Sequence, residues 1–78
     1  MKDVTIYSTT SCHYCALAKE FFKAHNIPYT EYNVGVDAQR RKEMVELSGQ
    51  LGVPVIHAGD TVLVGFQEKL LSDLLLSQ

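Results

Sequence analysis

Cysteine is scarce in this chain: there are two among 78 residues, Cys12 and Cys15, with two residues between them. A bridge between them closes too small a loop to restrain much of the unfolded chain, so this is not a disulfide framework of the secreted kind. Cations are not in excess either. Seven Lys+Arg stand against nine Asp+Glu, a formal charge of −2, which argues against nucleic-acid binding through a basic surface. No apolar stretch approaches the ~20 residues needed to span a bilayer. Met1-Lys2-Asp3-Val4-Thr5-Ile6 lacks the apolar core of a secretory signal. Five Gly and two Pro are too few for a collagenous or low-complexity chain. What is present is ordinary globular composition, 46% hydrophobic and 21% charged. The expectation is a single domain over residues 1–78, monomeric and cytoplasmic, with no nucleic-acid or membrane partner. Its core should be thin, since a chain of this size removes only ~60% of its unfolded surface on folding.

Val4-Thr5-Ile6-Tyr7 is β-branched and aromatic and ends in a polar run, Ser8 to Ser11, which predicts a strand and a turn. From His13 to His25, apolar residues at Leu17, Phe21, Phe22 and Ala24 alternate with charges, the pattern of an amphipathic helix. Ser11 is its expected N-cap, and Asn26-Ile27-Pro28 its expected end, because the residue before proline resists helical geometry. Tyr29–Val34 reads as a second strand. Asp37 can cap a second helix carrying Met44, Leu47 and Leu51 on one side and ending at Ser48-Gly49. Val53–His57 is a third strand with its proline near the start. Ala58-Gly59-Asp60 is a hairpin loop, and Thr61–Val64 a fourth strand. A last helix should bury a Leu70, Leu71, Leu74 and Leu75 stripe, with Phe66 stapling its entry. The order β-α-β-α-β-β-α predicts an α/β domain with a four-stranded mixed sheet flanked by helices.

The two cysteines fall where the first strand hands over to the first helix. Cys12 at the helix N-terminus meets unpaired N–H groups and the positive end of the macrodipole, both of which favour a thiolate. Cys15 lies about one turn on, on the same face, and more buried. Cys12 is thus expected to attack a substrate disulfide and Cys15 to resolve the mixed disulfide. A C-x-x-C beside a β-α-β pattern in a cytosolic protein reads as a redox motif.

Ile6-Tyr7-Ser8, Cys12-His13-Tyr14-Cys15, Ile27-Pro28-Tyr29, Gly52-Val53-Pro54-Val55-Ile56 and Val64-Gly65-Phe66 together resemble the glutaredoxin family over nearly the whole chain. The resemblance implies a thioredoxin fold and a redox-active Cys12/Cys15 disulfide. It also implies a cis proline at Pro54 and no bound cofactor, with glutathione as co-substrate. Tyr14, Val53, Pro54, Gly65 and Phe66 are the positions implied for contacting glutathione or substrate, and Gln50, just before the third strand, could add a neutral donor there. Departures are specific. His13 replaces proline, Thr9 replaces the lysine three residues before the first cysteine, and Gly52 replaces threonine. The later Gly-Gly and acidic pair reads Gly65-Phe66-Gln67-Glu68. The Gly-Phe variant is similar to small redoxins that serve ribonucleotide reductase and are recharged by thioredoxin reductase. Disulfide-bearing proteins are the implied substrates, and glutathione or that reductase the implied donor.

Competing readings exist for each feature. The cysteine pair could be half of a zinc site, with His25 and His57 the only distant candidates, but structural zinc wants four ligands. A haem attachment would need histidine at Ala16. A copper carrier of the ferredoxin-like kind would show methionine at Thr10 and a different element order. An iron–sulfur carrier, with Cys12 as a ligand, is a further alternative. His13 is either an exposed loop residue or a tuner of Cys12, its imidazolium favouring the thiolate while the helix dipole disfavours the imidazolium. Arg40-Arg41-Lys42 is either a solvated face or, at a helix start where cations oppose the dipole, a hint of an acidic partner or glutathione carboxylate.

Overall fold

The computed structural model describes residues 3–76. Met1 and Lys2, part of the segment read above for a signal, lie outside the described residues, as do the last two of the 1–78 range. The β-branched and aromatic run near the N-terminus forms β1 (Val4–Ser8), followed by α1 (His13–Ala24), β2 (Thr30–Asn33) and α2 (Ala38–Ser48). The chain continues through β3 (Val55–Ala58) and β4 (Thr61–Val64) to α3 (Glu68–Leu75). The predicted element order is therefore observed. The second and third strands are shorter than the sequence suggests: β2 omits Tyr29 and Val34, and β3 starts at Val55 rather than Val53. The sheet order is β2-β1-β3-β4. β1 pairs parallel with β2 and antiparallel with β3, and β3 and β4 form an antiparallel hairpin.

Side chains alternate across a strand, so β1 feeds two cores. Val4 and Ile6 join Ala18, Phe21, Phe22, Ile56, Ala58 and Leu71 on the face covered by α1 and α3. Tyr7 joins Val34, Met44 and Val55 on the face covered by α2. Phe66 packs against the first core, which also holds Leu71, the fourth residue of α3, as a hydrophobic staple requires.

Several expectations need correction. The N-cap of α1 is Cys12, not Ser11, because the extended backbone runs one residue further before the helix begins. Ala24 is exposed while Cys15 and Ala18 are buried, which rotates the apolar stripe toward the N-terminal half. α1 ends just before Asn26-Ile27-Pro28, as expected, but not through the proline. Asn26 turns left-handed at φ 54, and the amides of Asn26 and Ile27 donate to the carbonyls of Lys23 and Phe22, the 5→2 and 6→1 bonds of a Schellman end. Leu47 and Leu51 are exposed: α2 ends at Ser48, so Leu51 sits in the following loop, and Met44 alone of the three reaches the core. Leu70 is exposed as well, leaving Leu71 with the partly buried Leu74 and Leu75 to anchor α3. Asp37 and Gly49 behave as expected. The Asp37 carboxylate accepts from the Arg40 amide, and Gly49 closes α2 at φ 74.

Candidate active site

The link from β1 to α1 delivers Cys12 in extended conformation (φ −88, ψ 118) at the helix N-cap. Its carbonyl accepts from the Ala16 amide at 3.3 Å. No side chain caps this end and no acidic residue lies in the first turn, so the first-turn donors and the positive end of the dipole stay beside Cys12. The Cys12 thiol is half-buried and donates to the Val53 carbonyl, Sγ to O 3.8 Å, across 41 residues of sequence. The Val53–Pro54 peptide bond is cis, the isomer the resemblance implies. Pro54 is buried and Val53 half-buried. The Gly65 amide donates to the Pro54 carbonyl at 2.7 Å, with Gly65 at φ 81. Cys12, Val53, Pro54 and Gly65 are thereby brought to one end of the sheet.

Cys15 lies one turn into α1 and is 1% exposed. Both thiols are free. Burial pushes the Cys15 thiol up to about 11, helped by its hydrogen bond with Cys12, while a backbone hydrogen bond at Thr9 and the charge of Lys19 act against the rise. The pair is therefore one accessible sulfur and one buried sulfur within hydrogen-bonding reach of each other.

The other candidate residues divide. Tyr14 is 58% exposed and its ring meets that of the exposed His13 edge-on, with centroids 5.5 Å apart. Phe66 is turned inward, 6.2 Å from the Phe21 ring, so it serves the core beside the site. Gln50 does not offer a free amide. Its Nε2 donates to Ser48 Oγ and the Gly52 carbonyl, and its Oε1 accepts from the Gly52 amide at 2.5 Å. A Cβ at Gly52 would fall 2.6 Å from that Oε1, so a side chain there would displace the Gln50 amide from its present bonds. Arg40 and Arg41 do not provide a free charge at the cysteines. Arg40 binds both Glu43 oxygens and stacks 3.9 Å over the Tyr32 ring; Arg41 donates to the Val34 carbonyl. Glu43 also accepts from the buried Tyr7 hydroxyl; burial, then this bond, holds that phenol well above its ordinary range.

Three residues that the sequence reading missed stand behind Cys15. Ser8, buried at the end of β1, donates to Glu31 Oε2 at 2.8 Å, and the same oxygen receives Lys19 Nζ at 2.8 Å. The Lys19 bond, ahead of opposing burial, holds the Glu31 carboxyl below its usual value; the Glu31 bond raises Lys19. Lys19 had a signal, four residues after Cys15 on one helix face. Ser8 and Glu31 meet only through sheet pairing. Among the described residues, no group of three or more His, Cys, Asp or Glu side chains could hold a metal ion, and no helix is long and apolar enough to cross a membrane.

Comparison with known proteins agrees with this geometry. The glutaredoxin family model matches residues 4–63. A glutaredoxin-like 8.6 kDa protein encoded in the rubredoxin operon of Clostridium pasteurianum is 40% identical over 72 residues, 92% of this chain and 96% of its own. The crystal structure of the thioredoxin-like protein BC3987 superposes with a TM-score of 0.88 at 30% identity, over 94% of this chain and 100% of that one. The NrdH-redoxin of Escherichia coli, a glutaredoxin-like protein described as having a thioredoxin-like activity profile, superposes with a TM-score of 0.81 at 25% identity. That match covers 92% of this chain and 93% of the redoxin. The mixed four-stranded sheet with its three helices is a thioredoxin fold, and the chain belongs to the glutaredoxin family.

Proposed function

We propose that this protein reduces disulfides of proteins, and mixed disulfides with glutathione, through a Cys12/Cys15 dithiol, in the reducing cytoplasm and without a resident cofactor. The observation that carries this reading is the asymmetry of the sulfurs: Cys12 accessible at the α1 N-terminus, Cys15 buried behind it. Cys12 Sγ attacks one sulfur of the substrate disulfide, and the other sulfur leaves as a thiolate. Cys15 Sγ then attacks Cys12 Sγ, breaking the mixed disulfide and closing the Cys12–Cys15 bond. The backbone at Val53 offers an edge against which an extended substrate segment can lie next to Cys12, with Tyr14 at the open side and Pro54 and Gly65 backing it.

Recharging by a flavoprotein reductase, rather than by glutathione alone, is the second reading. It is favoured by the residues that do not offer a charge for glutathione's carboxylates. Thr9 stands where the family has lysine, Arg40 and Arg41 are committed to Glu43 and Val34, and the Gln50 amide is consumed in its own loop. A lost charge-assisted bond is worth ~1.5–3 kcal/mol, about tenfold or more in affinity. Two experiments test these readings. Cys15→Ser should accumulate a mixed disulfide through Cys12, seen by mass spectrometry, and Cys12→Ser should reduce nothing; a Cys12→Ser variant that still turns over disulfide refutes the assignment. Rates of re-reduction by glutathione and by a thioredoxin reductase system then choose the donor. Glutathione acting as fast as on a glutaredoxin that keeps the lysine overturns the second reading.

A further inference from the structure

We propose that Lys19, held in place by Glu31 and Ser8, is a positioning residue for the second half of the reaction, supplying the positive charge against which the buried Cys15 sulfur becomes a thiolate. This rests on the dithiol reading above and assigns a function to a charged cluster that reading does not use.

The resolving step has a chemical difficulty built into the fold. Cys15-SH must lose its proton before its sulfur attacks Cys12 Sγ. The bond from Cys12 to the substrate sulfur then breaks, its electron pair leaves with that sulfur, and the proton is taken up by the departing thiolate. Cys15 is reduced and protonated at the start, and the substrate sulfur is reduced and protonated at the end. Burial opposes the intermediate charge, since Cys15 is 1% exposed. Cys12 and Lys19 face it from α1, the Thr9 backbone from the β1–α1 link, and Ser8 and Glu31 stand behind Lys19 from β1 and β2. Tyr29 lies toward Lys19, and Lys23 toward Glu31. Among these described residues, Lys19 is the one whose positive charge acts on Cys15, a smaller influence than burial and the bonds to Cys12 and Thr9. An i,i+4 spacing puts its stem ~5–6 Å from that of Cys15.

Lysine on a free helix surface would swing into water. Here Glu31 Oε2 pins Nζ at 2.8 Å, and Ser8 Oγ, 2.8 Å from the same oxygen, fixes the carboxylate. The sheet register explains the geometry. Glu31 pairs with Ile6, Ser8 lies two residues further on the same face, and this face is the one α1 covers. The arrangement trades strength for position, because Glu31 also offsets part of the charge that Lys19 presents to Cys15. Removing either member should therefore move the resolving step in opposite directions.

The test is the stopped-flow reaction of the reduced protein with 5,5′-dithiobis(2-nitrobenzoate). The first release of thionitrobenzoate reports attack by Cys12 and scales with reagent concentration. The second reports resolution by Cys15 and does not. Lowering a thiol's pKa by one unit multiplies its thiolate about tenfold but weakens its nucleophilicity about threefold, a net gain of about threefold below that pKa. Near neutral pH, Lys19→Met should slow the second phase about threefold and shift its pH profile upward. Glu31→Gln, which keeps the hydrogen bonds and removes the counter-charge, should speed it and shift the profile downward. Lys19→Arg should restore the wild-type profile. The first phase should change by less than about twofold in all three. Second-phase profiles that stay put, or move the same way in Lys19→Met and Glu31→Gln, overturn the inference. A wild-type protein that shows no second release overturns the dithiol reading instead.

Discussion

Cys15 keeps its proton in the folded chain up to about pH 11, against 9.0 for an unperturbed thiol. Its effect on stability has a definite sign. Below the unfolded value both states are protonated and nothing is lost. Between the two values the unfolded chain releases a proton that the folded chain retains, so the reduced protein loses stability as pH rises. Urea melts at about pH 8 and about pH 10.5 should show a steeper fall for reduced wild type than for Cys15→Ser. Tyr7, whose phenol is also raised, adds an alkaline loss of its own that is common to both proteins. A parallel fall in the two would show that the buried thiol does not titrate late. Elsewhere at this scale, Phe22 is fully buried between sheet and helix, and Phe22→Ala should cost ~3–5 kcal/mol, read as a lowered denaturation midpoint.

At the scale of elements, local residues speak most clearly at helix ends. Both ends of α2 are legible because Asp37 and Gly49 act through bonds and dihedrals within a few residues of themselves. Asp37→Ala should cost ~1 kcal/mol, and Gly49→Ala, at φ 74, ~1–2 kcal/mol. Each is measurable as a midpoint shift without change in thiol reactivity. The sequence places the start of α1 one residue early because Ser11 is the better capping side chain, yet Cys12 occupies the position with no capping bond at all. A Ser or Asp there would bond the first-turn donors that now lie beside a sulfur, so a standard cap is given up where the chemistry sits. Helix faces are less legible than helix ends. Leu47, Leu51 and Leu70 fit a stripe by count, but each stripe's phase depends on which neighbour covers it, and that is settled by packing rather than by spacing.

For the whole molecule, element order, the mixed sheet and the cysteine pair can be read from the chain because each is written in a short window. The pairings that join distant windows cannot. Tyr7 to Glu43 spans 36 residues and Ser8 to Glu31 spans 23; packing of α2 against the sheet creates the first and strand register the second, and neither has a signature within a short window. The sheet divides the interior in two: the α1 and α3 side lies under the cysteines, and the α2 side is closed by Met44. Met44→Ala should accordingly cost ~2–5 kcal/mol yet leave Cys12 alkylation rates in the folded protein unchanged. A parallel loss of reactivity would show that the two sides are coupled. The same division offers an attachment point. Lys42 and Glu46 are exposed on α2, separated by the sheet from the helix that carries both sulfurs. A linker joined to the chain there, on a bead or an electrode, would leave the thiol end facing outward, so an immobilised sample should exchange electrons with dissolved disulfides as freely as the untethered protein does.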